Sequence, residues 1–368
     1  MSNRTIFFAG GGTGGHIYPG IAVAEKIRQL QDSTEIHFFC SNRDIDSQIL
    51  SKTPFEFTQL PAQPPCLSPV KLLRFVKTFF QSKNIAAEKI AQSNNPVVIG
   101  IGGFAAAPVC YAAHKKKIPV KLINVDIIPG KANRLIARWA DEIFVQFEET
   151  KQHLKKYKNK INIVGCPLRS SFDNPQPQKV TEKLGLDKNK KTLLITGASS
   201  GSQNINKTVC SLLGFFERFG DKWQIVHLTG EKNFDQVKAG YADAKISHKI
   251  ISYYDDMADL LAAADLVIGR SGAVSIAEYA AAGVPSICMP YPYHKDMHQY
   301  LNAGKLVEAG AAIIVDDVPD ETDRREWLAE ELEELMNDDK KLAEMKRNCE
   351  AASQRNAAKT IAQKILQS

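Results

Sequence analysis

The sequence lacks the cysteine pairs that mark a disulfide framework or a zinc cluster. Its seven cysteines are scattered along the chain, and none of them has C-x-x-C spacing. An odd, scattered set is typical of thiols that stay reduced in the cytosol. The disulfide-stapled and zinc-stapled classes are therefore excluded, and the fold has to depend on apolar cores.

We also expect neither a secretory leader nor a membrane-spanning run. The apolar start Thr5–Ala9 is too short for a signal peptide and runs directly into glycines. A longer apolar stretch, Pro96–Ala113, is interrupted by three glycines and by Pro108. We therefore predict a strand, a glycine turn and a buried helix there, and no membrane span.

A strong imbalance of charge is absent as well. The formal net charge of +6 over 368 residues is too small to predict nucleic-acid binding, but it suits phosphates and anionic lipid surfaces. One Asp-x-Asp pair, Asp44 and Asp46, precedes a predicted helix and does not end a strand. We interpret it as a solvated helix start, and we expect neither a catalytic metal nor a cofactor.

Short apolar strands alternate with helical patterns along a chain long enough for about two domains. The predicted strands are Thr5–Ala9, Glu35–Cys40, Val97–Gly100, Val120–Asn124, Glu142–Gln146 and Ile161–Val164, then Thr192–Thr196, Trp223–Leu228, Lys249–Ser252, Leu266–Gly269, Ser286–Met289 and Ala312–Val315. Amphipathic segments between them include Ile21–Leu30, Ala258–Ala264 and Ser275–Ala282. This alternation predicts parallel sheets with helices on both faces.

The two series of strands are separated by Cys166–Lys191, which is rich in proline and polar residues and which we interpret as an interdomain linker. The sequence thus predicts an α/β protein with two tandem doubly wound, Rossmann-like domains. The first covers 1–165 and is joined by a C-terminal helix at about 350–368. The second covers 166–349.

Three glycine turns follow predicted strands, at Gly10–His16, Gly100–Phe104 and Gly197–Ser202. Glycine allows a sharp turn and close approach of a ligand to the backbone, and a helix that starts there offers free N–H groups to an anion. Because the turns are divided between two domains, we expect a ligand in a cleft where the carboxyl ends of the strands face each other.

The first turn matches G-x-G-x-x-G, but an NAD site is disfavoured. Such a site needs an acidic residue at the end of the second strand, and Phe39–Asn42 supplies none. His16 follows the glycines directly, before a helix expected near Pro19. Its imidazole would lie at the mouth of the cleft and could accept a proton from an attacking hydroxyl, although a structural histidine is the alternative.

The second half carries a further turn and helix at Gly269–Glu278. Glu278 lies six residues after Gly272, where a carboxylate can bridge two vicinal hydroxyls such as those of a ribose; a solvated helical glutamate is the alternative. The segment His294–Ala303 follows the next strand, and its polar groups could bind sugar hydroxyls.

With these motifs in order, the chain resembles the MurG family, the N-acetylglucosaminyltransferases of bacterial peptidoglycan synthesis. The matching segments are Gly11–Gly20, Gly100–Phe104, Cys166–Arg169, Gly197–Asn206, Tyr254–Met257, Arg270–Glu278 and His294–Ala303. The resemblance implies a GT-B fold and inverting transfer of GlcNAc from UDP-GlcNAc to the 4-hydroxyl of MurNAc in undecaprenyl-linked lipid I, giving lipid II. The first domain would face the acceptor and the membrane, and the second would bind UDP-GlcNAc.

The resemblance also implies roles for individual residues. The residues implied to bind UDP-GlcNAc are Thr13, Gly14, Gly15, Arg169, Ser199, Gly201, Tyr254, Ser271, Gly272, Ala273, Glu278 and Gln299. Ser199 and Gly201 would contact the diphosphate and Arg169 would supply a donor-side cation. Tyr254, Glu278 and Gln299 correspond to the uracil, ribose and GlcNAc positions. His16 is the catalytic candidate, and the acceptor-side candidates are Gly102, Gly103, Asp126 and Asn133.

Two segments depart from the family pattern. The family's His-Glu-Gln-Asn run after the fifth strand is replaced by Ile123–Asp126, in which Asp126 could act as the polar substitute, while the third turn has Ser200 and Gln203 where the family often has Gln and Arg. Two alternatives therefore stay open. One is a GT-B transferase with another lipid acceptor, such as a diacylglycerol. The other is a nucleotide-sugar-binding protein without turnover, which the retained polar residues disfavour.

A lipid acceptor requires a membrane-facing surface, for which Lys71–Lys89 is the candidate. Its apolar side chains Leu72, Leu73, Val76, Phe79 and Phe80 fall on one helical face. This stripe either contacts lipid or packs into the core while Phe75 and the basic residues contact anionic lipid. Either way, we expect peripheral binding to the cytoplasmic face of the cell membrane.

Overall fold

The contacts within the chain divide it into two units. The computed structural model describes residues 4–64, 68–198 and 201–367. The first unit comprises Met1–Ser170 together with Arg355–Ser368, and the second comprises Ser171–Gln354. The end of the chain therefore returns to the unit in which the chain begins.

The first unit is built on a parallel sheet of seven strands in the order β3-β2-β1-β4-β5-β6-β7. The strands are β1 Thr5–Gly10, β2 Glu35–Ser41, β3 Glu56–Leu60, β4 Val97–Gly102, β5 Val120–Asn124, β6 Glu142–Val145 and β7 Ile161–Ile163. The strand order reverses between β1 and β4, so the turns that follow these two strands are neighbours.

Helices connect and cover these strands. They are α1 Gly14–Leu30, α2 Asp44–Leu50, α3 Pro69–Ala91, α4 Ala106–Lys115, α5 Lys131–Ile136, α6 Thr150–His153 and, from the end of the chain, α16 Ala357–Leu366. Helix α16 packs against α1 and buries Ile361 and Ile365 completely. The side chain of Arg4 adds a 2.8 Å hydrogen bond to the carbonyl of Ile365.

The second unit is built on a parallel sheet of six strands in the order β10-β9-β8-β11-β12-β13. The strands are β8 Lys191–Thr196, β9 Trp223–Leu228, β10 His248–Ile251, β11 Leu266–Gly269, β12 Ser286–Cys288 and β13 Ala312–Ile314. The helices are α7 Pro177–Leu184, α8 Gln203–Ser211, α9 Leu213–Phe216, α10 Phe234–Gly240, α11 Met257–Ala262, α12 Ala273–Ala282, α13 His298–Glu308, α14 Glu321–Asn337 and α15 Asp339–Ala352. Here the order reverses between β8 and β11.

The two parallel sheets confirm the predicted doubly wound α/β fold, and each of the twelve predicted strands is present within one or two residues. Strand β3 was missed because it is a half-exposed edge strand with polar residues. Helix α1 begins at Gly14, earlier than expected, with Pro19 inside it. The segment expected to be only a linker contains α7, which packs against α11.

The stretch Pro96–Ala113 forms β4, a turn and most of α4, as predicted. Among the described residues, no helix is both long enough and apolar enough to cross a membrane.

Of the two alternatives left open for the apolar stripe of helix α3, the structure shows a stripe that is mostly exposed and is not packed into the core. The face turned to the core carries mainly small residues, Thr78, Ser82 and Ala86, because α4 packs against it. Leu73 is 73% exposed and Phe80 is 51% exposed. Leu72, Val76 and Val70 are also exposed, and Phe79 alone of the stripe packs against the core. The helix therefore presents a continuous apolar face to the outside of the first unit.

Candidate active site

Two glycine turns of the first unit meet where the neighbouring strands β1 and β4 end. The backbone of Gly103 has φ +79°, and a Cβ there would lie 2.0 Å from the carbonyl oxygen of Gly11. The backbone of Gly102 has φ +100°. Because a side chain at Gly103 would collide with the backbone of Gly11, the two turns pack directly on each other. The structure thus brings together the acceptor-side glycines and the first turn.

His16 lies in the first turn of α1 and faces the second glycine turn. Its Nδ1 atom is 3.2 Å from the hydroxyl of Thr13. A Cβ on Gly102 would lie 2.6 Å from Cδ2 of the imidazole and 3.1 Å from Nε2. The half-buried ring is therefore held between the Thr13 side chain and the bare backbone of Gly102.

Asn133 joins this group through a series of amide hydrogen bonds. Its Oδ1 would lie 3.3 Å from a Cβ on Gly102, and its Nδ2 donates to Oδ1 of Asn124 at 2.9 Å. The Nδ2 of Asn124 in turn donates to the carbonyl of Asp126 at 2.7 Å. Asn124 stands where the family pattern has glutamate, and here it ties the loop after β5 to α5. Ile123, which replaces the histidine, is buried and offers the site no polar group.

Asp46 overturns the interpretation of the Asp-x-Asp pair as a solvated helix start. Asp44 is exposed, but Asp46 is completely buried. Its carboxylate accepts the N–H of Gly12 at 2.8 and 2.9 Å, and also the N–H and the hydroxyl of Ser41. A Cβ on Gly11 would lie 2.2 Å from this carboxylate. Asp46 therefore anchors the first glycine turn to the end of β2.

Arg43 and Phe104 cover the outer side of the first turn. The Nη1 of Arg43 donates to the carbonyl of Gly12 at 2.8 Å, and its guanidinium carbon lies 5.2 Å from the centroid of the Phe104 ring. A Cβ on Gly12 would lie 3.3 Å from that ring. The cation–π contact thus joins the first and second turns from outside.

Arg169 lies in the first unit, beside the start of α1. Its guanidinium carbon is 4.4 Å from the centroid of the Tyr18 ring, a cation–π geometry. A Cβ on Gly14 would lie 3.0 Å from the same ring. The next residue, Ser170, donates to Glu25 of α1 through both its N–H and its hydroxyl, each at 2.8 Å. These contacts hold Arg169 next to the first glycine turn.

The third glycine turn lies at the carboxyl end of β8, in the second unit. The backbone of Gly201 has φ +71°, and a Cβ there would lie 2.1 Å from the carbonyl oxygen of Thr229. A Cβ on Gly197 would lie 2.1 Å from the N atom of Ser202, whose hydroxyl caps α8. Ser199, which was predicted to contact a diphosphate, lies outside the described residues.

A buried polar chain fixes α8 to the neighbouring strand β9. The Nδ2 of Asn206 donates to the carbonyl of Thr229 at 2.9 Å, so its Oδ1 faces Nε2 of His227 at 3.1 Å. Nε2 therefore carries the proton, and Nδ1 accepts the hydroxyl of Tyr241 at 3.1 Å. Burial lowers the pKa of His227 to about 3, which is consistent with the neutral ring that this bonding needs.

The hydroxyl of Tyr279 holds the predicted turn after β11 in place. A Cβ on Gly269 would lie 2.3 Å from the hydroxyl oxygen of Tyr279, and this hydroxyl donates to the carbonyl of Arg270 at 3.1 Å. Ser271 is completely buried, and its carbonyl accepts Nδ2 of Asn302 at 3.5 Å. The turn is thereby fixed before the helix starts.

Helix α12 begins directly after this turn, with Gly272 as its N-cap and Ala273 as its first residue. Because β8 and β11 are paired neighbours, the N-termini of α8 and α12 open at the same edge of the sheet. Glu278 lies half-buried one turn and a half into α12. This edge therefore offers two sets of helix N–H groups to one anion.

Gln299 has a fixed amide orientation. Its Oε1 accepts the N–H of Tyr291 at 2.9 Å, so the NH₂ group is the part of the amide that remains to face a ligand. Nearby, the rings of His294 and His298 stack at a centroid distance of 4.3 Å, and His298 pairs with Asp296 at 2.7 Å. The predicted sugar segment is therefore ordered by its own side chains.

Tyr254 lies at the start of the segment before α11 and is buried. The Nζ of Lys183 lies 4.9 Å from the centroid of its ring. Burial raises the pKa of Tyr254, and the carboxylates of Asp256 and Asp259 raise it further. Lys183 of α7 thus covers the ring at the position to which the resemblance assigns uracil.

The sequence reasoning missed the side chains that hold these turns in place, namely Asp46, Arg43, Phe104 and His227. An acid shortly after the second strand was visible, but only its distance from Gly12 in the fold shows its role. His227 had one signal, a polar residue in the otherwise apolar strand Trp223–Leu228. In the part of the chain that the structure describes, no cluster of three histidine, cysteine or acidic side chains could hold a metal ion.

Two family models match this chain. The N-terminal domain of glycosyltransferase family 28 matches residues 6–145, and the C-terminal domain of the same family matches residues 192–364. The chain is 38% identical over 353 residues to a transferase of Halothermothrix orenii, with 92% of each chain covered. It is 32% identical to a transferase of Acetivibrio thermocellus, covering 97% of this chain and 96% of the relative. Both relatives are named UDP-N-acetylglucosamine–N-acetylmuramyl-(pentapeptide) pyrophosphoryl-undecaprenol N-acetylglucosamine transferase.

Solved structures share the fold. The crystal structure of Acinetobacter baumannii MurG superposes with a TM-score of 0.75 at 24% identity, covering all of both chains. A UDP-GlcNAc 2-epimerase from Neisseria meningitidis, bound to UDP-GlcNAc, gives a TM-score of 0.70 at 15% identity and covers 99% of this chain and all of its own. At these identities the similarity describes the GT-B type of fold.

The role of Asp46 can be tested by Asp46→Ala. Loss of the carboxylate leaves the N–H groups of Gly12 and Ser41 without their acceptor, so the free energy of unfolding should fall by ~1–3 kcal/mol. Exchange of the Gly12 amide hydrogen should become faster. Urea unfolding and hydrogen exchange measure the two effects. Asp44→Ala is the matched control and should change stability by less than ~0.5 kcal/mol; equal exchange rates at Gly12 in both variants would contradict the anchoring role.

The buried His227 predicts a pH dependence of stability. Its pKa in the folded chain is about 3, below the value of about 6.5 of an unfolded histidine. The unfolded state therefore binds one more proton below pH 6.5, and stability should fall from there toward pH 3, by up to ~1.4 kcal/mol per pH unit. Urea unfolding between pH 7 and 4.5 should show a shallower slope for His227→Gln. The exposed His153→Gln is the control, and a slope unchanged in both variants would contradict a neutral, buried His227.

Proposed function

The chain belongs to glycosyltransferase family 28, and we propose that it transfers GlcNAc from UDP-GlcNAc to the 4-hydroxyl of MurNAc in undecaprenyl-linked lipid I, with inversion, to form lipid II. The observation that carries this proposal is the sequence similarity to the two N-acetylglucosamine transferases. They are 38% and 32% identical to this chain and cover 92% and 97% of it. The glycine turns and helix N-termini described above supply a physical basis for it.

His16 is the proposed base. The oxygen of the MurNAc 4-hydroxyl attacks the anomeric carbon of GlcNAc on the face opposite to UDP. The bond from that carbon to the diphosphate oxygen breaks, and its electron pair leaves with UDP. The hydroxyl proton passes to Nε2 of His16, which requires Nδ1–H to donate to the Thr13 hydroxyl. The 3.2 Å contact between Nδ1 and the Thr13 hydroxyl is compatible with this tautomer.

Acceptor binding in this proposal involves Gly102, Gly103, Asn133 and Asp126. The amide series from Asn133 through Asn124 to the Asp126 carbonyl supports a rigid loop at this place. With Ile123 and Asn124 in place of the family's histidine and glutamate, more of the proton transfer depends on His16.

Donor binding in this proposal depends on helix N-termini. Gly201, whose own N–H donates to the carbonyl of Ala198 at 3.1 Å, precedes α8. The first N–H groups of α8 and those of Ser271–Ala273 before α12 would face the diphosphate, whose charge grows as UDP leaves. The resemblance alone assigns Thr13, Gly14 and Gly15 at the start of α1 and the Arg169 guanidinium to the donor as well. Ser199 is assigned to the diphosphate by resemblance alone.

Sugar and base would be recognised by side chains. Glu278 would accept hydrogen bonds from the ribose hydroxyls, and Tyr254 marks the uracil position. The Oε1 of Gln299 is engaged by Tyr291, so its NH₂ group would donate to a GlcNAc hydroxyl oxygen. This polarity supports a sugar that presents an acceptor at that position.

An acceptor assay tests the proposal. Purified protein is incubated with UDP-GlcNAc and either lipid I or a diacylglycerol, and UDP release is measured. Release with lipid I alone is expected. Release with diacylglycerol alone would instead identify the alternative lipid transferase, and tight UDP binding without release from either acceptor would identify a binding protein.

His16→Ala is the accompanying variant. Turnover with lipid I should fall by ~10²–10⁴, the usual contribution of a general base, while affinity for UDP stays within a factor of ~3. An exposed histidine elsewhere, His153→Ala, serves as the matched control and should leave turnover unchanged. Selective loss of UDP affinity in His16→Ala would place this histidine on the donor and contradict its role as base.

We also propose that the first unit binds the cytoplasmic face of the cell membrane peripherally, through α3. The exposed apolar side chains of this helix, among them Val70, Leu73 and Phe80, are flanked by the exposed basic residues Lys71, Arg74 and Lys77. An apolar face bordered by lysine and arginine suits the boundary of anionic headgroups and acyl chains. Such a surface would hold the enzyme near a lipid-linked acceptor.

Vesicle sedimentation tests this surface. Arg74, Lys77 and Lys83 are changed together to Glu, and binding to phosphatidylglycerol vesicles should weaken at least ~100-fold, because each basic residue near such a surface contributes about 1 kcal/mol. The matched control changes the exposed Lys232, Lys238 and Lys245 of the second unit to Glu. Equal loss of binding in both variants would indicate a general charge effect and refute α3 as the docking surface.

A further inference from the structure

Asp317 is a completely buried carboxylate that the sequence reasoning did not single out. It follows β13, and the relative exposure of its side chain is 0%. Buried carboxylates are costly unless they are paired and hydrogen-bonded. The partners of this carboxylate therefore indicate its structural role.

Three groups from different elements converge on this carboxylate. Its Oδ2 pairs with Nη2 of Arg270 at 2.7 Å, and its Oδ1 accepts Nδ2 of Asn204 at 2.8 Å. Arg324 of α14 lies 3.7 Å from Oδ1 and donates through Nε to the hydroxyl of Thr208 in α8 at 2.7 Å. Asp317 thus connects the end of β13 with α8, α14 and the turn before α12.

Arg270 extends the connection to the start of α8. Its Nη2 donates to the hydroxyl of Ser202, the N-cap of that helix, at 2.7 Å. Its Nη1 donates to the carbonyls of Met289 at 2.8 Å and of Pro290 at 3.2 Å, just after β12. The guanidinium is therefore hydrogen-bonded to protein groups on several sides. It connects the turn before α12 with the start of α8 and the end of β12.

The neighbouring Asp316 makes a similar connection to α13. It accepts a hydrogen bond from the hydroxyl of Tyr300, the residue after Gln299. Burial of Tyr300, and then this hydrogen bond, raise its pKa to about 12. The end of β13 is consequently tied to α8, to the turn before α12 and to α13.

We propose that Asp317 is a positioning residue of the donor site. Its carboxylate holds the N-terminus of α8 and the Arg270 turn before α12 at a fixed separation, so that the N–H groups of both helices face one nucleoside diphosphate. This inference depends on the proposed function for the identity of the ligand. The fixed separation of the two helix starts depends only on the contacts of Asp317 and Arg270.

The physical reason lies in how the two helix starts act together. Each contributes oriented N–H groups and a partial positive charge that fall off within the first turn of the helix. A small change in their separation would leave one set too far from the diphosphate. Because Asp317 also compensates the charge of Arg270, its loss would free a buried guanidinium to pull the two turns out of place.

The test uses Asp317→Asn in the full-length protein, which keeps the shape of the side chain and removes its charge. The Kd for UDP, measured by calorimetric titration, should rise at least ~10-fold, the usual effect of losing hydrogen bonds to a charged group. The KM for UDP-GlcNAc should rise in parallel while kcat at saturating donor changes less than ~3-fold. Hydrogen exchange should become faster at the amides of Ile205 and Ala273 in the absence of nucleotide.

Asp265→Asn is the matched control, because this carboxylate accepts the N–H of Thr192 at 2.8 Å at the opposite end of the same sheet. Its Kd for UDP and its exchange at Ile205 and Ala273 should stay at wild-type values. Asn204→Ala removes one contact of Asp317 and keeps the ion pair, so it should raise the Kd about 3-fold even if Asp317→Asn fails to fold.

Wild-type Kd in Asp317→Asn and Asn204→Ala, or tighter binding of UDP through a released Arg270, would overturn the inference. Failure of the proposed function is distinguishable from this. A wild-type protein that binds no UDP contradicts the proposed donor, whereas exchange at Ile205 and Ala273 still decides whether Asp317 holds the two helix starts.

Discussion

Direct backbone contact between turns and strand ends is the constraint on which the rest of the structure depends. Gly103 lies on the carbonyl of Gly11, and Gly201 lies on the carbonyl of Thr229. A single methyl group at either glycine would push the turn away from its neighbour. Because α1 and α8 start directly after such turns, this proximity also sets where their first N–H groups point. The anion-binding character of the turns is thus a result of close packing.

The two units secure these turns with different chemistry. In the first unit, the carboxylate of Asp46 accepts the N–H of Gly12 in the first turn. In the second, a neutral chain through His227 and Asn206 holds α8 against β9, and the ion pair of Arg270 and Asp317 crosses to the next turn. The first unit thus relies on one carboxylate that accepts several donors, and the second relies on a histidine–amide chain together with an ion pair.

The sequence predicted what depends on local periodicity and on glycine, and it missed what depends on distance along the chain. The strands and the three glycine turns followed from short patterns. Asp46 and Asp317 could not be found in this way, because their partners Gly12 and Asn204 are 34 and 113 residues away. The stripe of α3 was ambiguous for a related reason. An amphipathic pattern does not tell which face meets the core, and here the close approach of α4 selects the face with Ser82 and Ala86.

The place of α16 in the chain has a consequence for protein synthesis. The second unit, Ser171–Gln354, is continuous in sequence, whereas the first needs Ala357–Leu366 to cover α1. Ribosomes add about 5–20 residues per second, so synthesis of the segment between Ser170 and Ala357 takes on the order of 10–40 seconds. During that interval the face of α1 that α16 covers lacks this partner. The part of the protein made first is therefore the last to finish folding, and it is the part that a chaperone has most reason to bind.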